Sequence, residues 1–418
     1  MFKNIVDCID FIQNQTRKST KTLEHMKSLC EVYGNPQEGL KYIHVAGTNG
    51  KGSIVSYLRE ILIDSNLNVG TFTSPYIVSF NERITYNNNF ISDELIIKYT
   101  NEIISKYQEL EEKGIELPGF FSIVTLMCFM YFRDVKPDVV ILEVGIGGLL
   151  DCTNVITPLV SIISNVSYDH MNLLGNTLSE IAYNKLGIVK ENIPLVTISN
   201  DEINDLIINT CKNKDSELIL VNKNDIINPI VEIGETKFSY KDYNVTLRMS
   251  GLYQCENASI VIESCMILNK YFNISKQNVI NGLNNTFWPG RLEVIRKEPF
   301  IIIDGAHNID GICRLHEFIK TLKNYNITLC MAISSNKETF KMIREIEQDV
   351  NKIIFTSFNY KRSEDYNLLY EYSNHPLKEK CEDVLELVNR SLENKDCNNI
   401  WIFCGSLYFV SEIRKIFK

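Results

Sequence analysis

Residues 47–53 read GTNGKGS, directly after the apolar run YIHVA and directly before a helical pattern, SIVSYLREIL. Glycines 47, 50 and 52 let backbone N–H groups turn inward without a Cβ clash, and a helix N-terminus adds partial positive charge. Gly47, Thr48, Asn49, Gly50, Lys51, Gly52 and Ser53 therefore read as a phosphate cradle, with Lys51 lying along the β/γ oxygens of a nucleoside triphosphate. The spacing departs from G-x-x-x-x-G-K-S/T, because Gly52 separates the lysine from the serine. A plain Gly-rich turn with an exposed lysine is the bland alternative. The strand before and the helix after favour the cradle.

Glu143 closes a second apolar run, VVILE, beside glycines 145, 147 and 148. A carboxylate at the carboxyl edge of a sheet near a phosphate loop is where a Mg²⁺ ligand belongs. Its ordinary alternative is a strand-end ion pair. A dinucleotide reading of the glycines fails because LLDCTNVI, with no capped helix, follows them. His170 comes after Asp169 and the strand LVSIIS, although a lone histidine is more often structural than a ligand. Lys185, in SEIAYNKLGIVK, reads on its own as a solvated helical lysine. DGAHN, at 304–308, concentrates polar residues at the end of the run FIIID.

These residues need parallel strands to hold them. Short apolar runs alternate with helical patterns at 40–47, 67–72, 138–145, 159–164 and 194–199, which is the signature of an α/β chain whose mostly parallel sheet is covered on both faces. From 227 to 250 the pattern alternates polar and apolar, a small antiparallel excursion, and the helix NASIVIESCMILNKYF follows. Pro289 and Gly290 then punctuate the chain. A second α/β series opens, with strands expected at 300–304, 327–333, 352–356 and 400–404. The boundary is placed near 290, giving domains 1–289 and 290–418 and a cleft between them as the expected ligand site.

At 418 residues the chain exceeds the usual size of a single core. A net charge of −9, with no basic stripe, excludes a nucleic-acid-binding surface. No run of about 18 apolar residues suggests a membrane span. Asp7 and Asp10 interrupt the N-terminal apolar segment, which speaks against a signal peptide. The 12 cysteines are scattered without a C-x-x-C pair and fit buried thiols in a reducing cytoplasm.

GTNGKGS resembles the nucleotide loop of the folylpolyglutamate synthase and dihydrofolate synthase family, within the Mur ligase superfamily. Further blocks follow in the family's order: TSPYIVSFNERI (73–84), LEVGIGGLLDCTN (142–154), YDHMNLLGNTLSEIAYNKLGIVK (168–190), WPGRLE (288–293), DGAHN (304–308) and GSLYFVSEIR (405–414). The resemblance implies a P-loop ATPase-like N-terminal domain and a smaller, Rossmann-like C-terminal glutamate-ligase domain. It implies ATP and Mg²⁺ as cofactors, the metal held by Ser74, Glu143 and His170. Lys185 matches a lysine that carries a carbamate, which requires a neutral amine. Asn257, Arg291, Asp304 and His307 match positions near ATP. Phe120, Phe121, Ser122, Leu150, Asp151 and Cys152 match positions that bind dihydropteroate.

The implied reaction phosphorylates a carboxylate with ATP, and the α-amine of glutamate then attacks the acyl phosphate. Catalysis rests on positioning and charge neutralisation by Lys51, Glu143, His170 and Lys185. Three family features are replaced: a histidine by Tyr76, a glutamate by Ser122 and an arginine by Leu149, with Cys152 standing for an alanine. Loss of a charged pair in the pteroate pocket favours glutamate addition to a reduced folate over dihydrofolate synthesis. A bifunctional enzyme and a glutamate ligase for a non-folate acid are the alternatives, and a nucleotide-driven switch is the reading outside the ligase class. A cytoplasmic monomer is expected.

Overall fold

The apolar run before the glycines forms strand β1 (Tyr42–Ala46), buried at every position. It lies inside an eight-stranded sheet whose other members are β2 (Val69–Phe72), β3 (Ile84–Tyr86), β4 (Asn89–Phe90), β5 (Val139–Glu143), β6 (Val160–Ile163), β7 (Leu195–Ile198) and β8 (Leu218–Val221). Their order is β4-β3-β2-β5-β1-β6-β7-β8. β1 runs parallel to both neighbours, with Val45 opposite Glu143 on one side and Ile162 on the other. The end of β5 therefore stands beside the start of the phosphate loop. Central strands buried on both faces read as continuous apolar runs, which is why β1, β2, β5, β6 and β7 are visible in the sequence. The hairpin β3–β4 escapes the apolar-run reading. It is short and turns at Asn87 and Asn88, both left-handed at φ 46° and 65°, a conformation asparagine tolerates.

The computed structural model describes residues 1–16, 23–394 and 396–417. They divide into two compact units: residues 1–223 with 257–283, and residues 224–256 with 284–418. In the first, helix Phe120–Val135 packs on one face of the sheet and buries every residue from Ser122 to Phe132. Ile181, Ala182 and Leu186, on helix Leu178–Leu186, pack farther along the same face against Ala46, Val144 and Ile163. Helix Leu252–Leu268 starts five residues before the run expected to form it.

The second unit contains an antiparallel sheet of β9 (Ile226–Glu232), β10 (Glu235–Tyr240) and β11 (Tyr243–Leu247), the excursion anticipated from alternation. Its main sheet joins β12 (Glu293–Lys297), β13 (Phe300–Asp304), β14 (Asn326–Met331), β15 (Lys352–Phe355), β16 (Lys378–Lys380) and β17 (Asn399–Cys404) in the order β12-β13-β17-β14-β15-β16. Only the edge strand β12 is antiparallel. Helices Ile309–Ile319 and Thr339–Ile346 cover one face, and Val384–Glu393 and Leu407–Ile416 cover the other. This is a doubly wound arrangement, with Asp304 and Cys404 at adjacent strand ends. Among the described residues no helix is long and apolar enough to cross a membrane.

Candidate active site

The phosphate loop leaves β1 at Gly47 and enters helix Lys51–Asp64 at Gly50, its N-cap. Gly50 has φ 82°, and a Cβ there would lie 2.5 Å from Asn257 Oδ1. A Cβ on Gly47 would meet Ser164 Oγ at 1.8 Å. Both positions need glycine for conformation and for space. The loop hangs on the segment after β6: Thr48 N donates to Asn165 O (2.9 Å), Asn49 N to Asn165 Oδ1 (2.8 Å) and Thr48 Oγ1 to Ser167 O (3.0 Å). Ser164 Oγ donates to Asn49 O at 2.5 Å. Ser53 is buried in the first turn of the helix, one residue past Gly52.

Lys51 Nζ donates to Gly47 O (3.1 Å) and Thr48 O (3.2 Å), and stands 4.0 Å from Glu143 Oε1. Glu143 is buried, and its Oε2 accepts the N–H of Ser74 at 3.1 Å. Ser74, Lys51 and Glu143 thus meet at one point at the carboxyl ends of β1, β2 and β5. His170 is itself left-handed (φ 52°) and partly exposed, with Nε2 4.0 Å from Asp169 Oδ2. Among the described residues no three His, Cys, Asp or Glu side chains are grouped to hold a metal ion. The expected ligand set draws its third member, a hydroxyl, from Ser74.

Lys185 is buried on helix Leu178–Leu186. Burial, then the charge of Lys51, push its ammonium down from 10.5 to about 7, while Asp169 acts the other way. Asp169 is a functional candidate that sequence reading passed over. Its signal is only that it precedes His170.

The residues expected at a pteroate pocket come from two elements. Phe120, Phe121 and Ser122 open helix Phe120–Val135, and the ring of Phe121 occupies the place a Cβ on Gly145 would need. Ser122 Oγ lies 3.5 Å from Cys152 Sγ. Leu150 is exposed. Leu149 packs against Gly187, whose Cβ would lie 2.3 Å from Leu149 Cα. Asp151 is buried and held by four bonds: it accepts Gly145 N and Ile146 N at 3.1 Å each, Thr153 N at 3.0 Å and Thr153 Oγ1 at 2.6 Å. Burial raises its carboxyl above the ordinary value against these bonds. Arg83 was also missed. It is buried, with its guanidinium 5.1 Å from the Tyr76 ring, 5.6 Å from Phe80 and 5.2 Å from Phe120.

In the second unit, Arg291 crosses Gly305, where a Cβ would lie 2.6 Å from its guanidinium nitrogen. Asp304 is buried, and its two oxygens accept Leu292 N and Ala306 N at 2.8 Å each. Leu292 sits at φ 47°, an outlier for a bulky residue. His307 Nδ1 donates to Gly305 O at 2.8 Å.

A glycine-rich loop between a central parallel strand and a helix, with a buried carboxylate beside its lysine, is the arrangement of an α/β nucleotide-dependent enzyme. Residues 120–265 match the Mur ligase middle domain and residues 290–407 the Mur ligase glutamate ligase domain. The chain is similar to a Bacillus subtilis dihydrofolate synthase/folylpolyglutamate synthase, 36% identical over 100% of both chains. A Lacticaseibacillus casei folylpolyglutamate synthase is 34% identical over 80% of this chain and 81% of its own. Among solved structures, the apo form of L. casei FPGS aligns with a TM-score of 0.88, 29% identity and 99% coverage of both chains. An FPGS–AMPPCP–folate complex aligns with a TM-score of 0.86 over the same share of each chain. The chain belongs to the folylpolyglutamate synthase/dihydrofolate synthase family of Mur ligases, and it is an ATP-dependent ligase.

Proposed function

We propose that this ligase joins L-glutamate to a reduced folate through an acyl phosphate, as a cytoplasmic monomer using Mg-ATP. One observation carries the site assignment: Lys51 reaches both the carbonyls of its own loop and the buried Glu143. A cation held there neutralises a transferring phosphoryl group. Residues 1–289 act as the ATP-binding and catalytic domain, and 290–418 as the glutamate-ligase domain.

Glu143 and the Ser74 hydroxyl are hard oxygen donors that fit Mg²⁺, with His170 as the softer third ligand. The bound ion supplies charge neutralisation and orients the phosphates. The loop amides and Lys51 bind the phosphates, and Asn257, Arg291, Asp304 and His307 belong to the nucleotide site. Lys185 serves as a supporting group. Its burial gives it a neutral amine near pH 7, the form that takes up carbon dioxide as a carbamate and releases one proton. Phe120, Phe121, Ser122, Leu150, Asp151 and Cys152 form the acceptor pocket.

A second reading, in which dihydropteroate is also an acceptor, is favoured by the two-part name of the Bacillus subtilis relative. Purified protein, Mg-ATP and glutamate, with tetrahydrofolate or dihydropteroate offered separately and products weighed by mass, tests both. Glutamate addition to tetrahydrofolate is expected. ATP hydrolysis at the same rate with and without glutamate would overturn the ligase assignment.

A further inference from the structure

His44 lies in β1, fully buried, and nothing above uses it. Its Nε2 is 2.8 Å from Thr153 Oγ1. Thr153 Oγ1 in turn lies 2.6 Å from Asp151 Oδ1 and donates to it, since an ionised carboxylate can only accept. The hydroxyl therefore presents a lone pair to His44, and the imidazole carries its proton on Nε2. Nδ1 is left as a bare acceptor, buried without a hydrogen-bond partner. A buried imidazole ordinarily satisfies both nitrogens, so the orphan marks a tautomer imposed by what Nε2 must do. Burial, followed by the charge of Lys190, keeps the ring neutral, with its pKa down to about 3.

The chain of bonds does not end at Asp151 Oδ1. Asp151 Oδ2 accepts the amides of Gly145 and Ile146, the second and third residues after Glu143. The same loop carries Leu150 and Cys152. The phosphate loop is suspended differently, from Asn165 and Ser167.

We propose that His44 is a positioning residue for the acceptor side of the site, acting through Thr153 and Asp151 on loop 145–152, although its own strand feeds the phosphate loop. The inference deepens the acceptor-pocket reading and rests on it.

The test compares His44→Leu, His44→Gln, Thr153→Val and Thr153→Ser. Glutamine keeps a donor near the position of Nε2, and serine keeps the hydroxyl. Acceptor KM is measured with tetrahydrofolate, nucleotide affinity with a fluorescent ATP analogue, and hydrogen exchange on the ligand-free chain. His44→Leu and Thr153→Val are expected to raise acceptor KM about tenfold with nucleotide Kd within about twofold. The double variant should be no worse than either single one, because the two residues act in series. His44→Gln and Thr153→Ser should stay close to wild type. Exchange should quicken in 145–154 and not in 47–53. An equal loss of nucleotide affinity, or His44→Gln as impaired as His44→Leu, overturns the proposal. If His44→Leu does not fold, Thr153→Val and Thr153→Ser carry the comparison. If the wild-type chain does not use tetrahydrofolate, the acceptor reading fails by itself. Exchange still decides the relay, and unchanged rates in 145–154 overturn it.

Discussion

Lys51 Nζ stands 4.0 Å from Glu143 Oε1, at the ends of two adjacent parallel strands. The proposed function uses both charges, the lysine for the triphosphate and the carboxylate for its metal. Lys51→Ala is expected to weaken ATP binding and reduce ligation by about three orders of magnitude. Glu143→Ala should give a comparable loss with less effect on nucleotide affinity, because it removes the proposed metal ligand and leaves the loop intact. Steady-state rates and ATP titrations check both. Near-normal turnover in either purified variant sinks the assignment.

Lys185 gives a prediction about stability and pH. The folded chain releases this proton near pH 7, and the unfolded chain releases it near the ordinary 10.5. Between those values the unfolded state binds the extra proton, so this group makes stability rise with pH; below about 7 both states are charged and its contribution is flat and unfavourable. Lys185→Met removes the term. Urea denaturation across that window should show wild type gaining on the variant as pH rises, and a constant difference would refute the buried neutral amine.

Asp304, proposed for the nucleotide site, has both oxygens bonded to backbone amides, one of them from the left-handed Leu292. Asp304→Ala orphans two buried N–H groups and should destabilise the second unit by about 3 kcal/mol. Asp304→Asn keeps one acceptor and should lose less. Chemical denaturation followed by a probe in residues 284–417 measures the difference. Equal stability of all three proteins would show that the carboxylate does not hold the turn.

The proposed acceptor pocket yields a gain-of-function test. Ser122 is buried against Cys152, and Leu149 packs on Gly187. Dihydropteroate should therefore be a poorer acceptor than tetrahydrofolate. The pair Ser122→Glu with Leu149→Arg should narrow the gap, whereas Ser122→Glu alone buries an uncompensated charge and should lower stability. Equal turnover of the two acceptors by wild type contradicts the prediction.

What the sequence could show followed from how local the cause was. The cradle at 47–53 is legible because strand, glycines and helix are contiguous, and the β1, β5 and β6 runs are legible because strands covered on both faces are uniformly apolar. Lys185 looks like any helical lysine. Its altered chemistry comes from burial and from Lys51, distant in sequence. Asp151 was assigned to a ligand by resemblance, while its four internal bonds depend on how the loop closes. Arg83 ends a 3-10 turn, Phe80–Arg83, and gains meaning only when three rings gather around it. Strand identity is written in periodicity, but strand order is set by long-range pairing that no local pattern encodes.

The position of β17 between β13 and β14 has a consequence for biosynthesis. Both neighbours emerge from the ribosome well before residues 399–404, so until those residues arrive the second sheet has an unfilled slot in its middle, not a missing edge. A nascent chain stalled before residue 399 would expose two apolar strand flanks at once. Clipping β17 from the finished protein would split the sheet instead of trimming it.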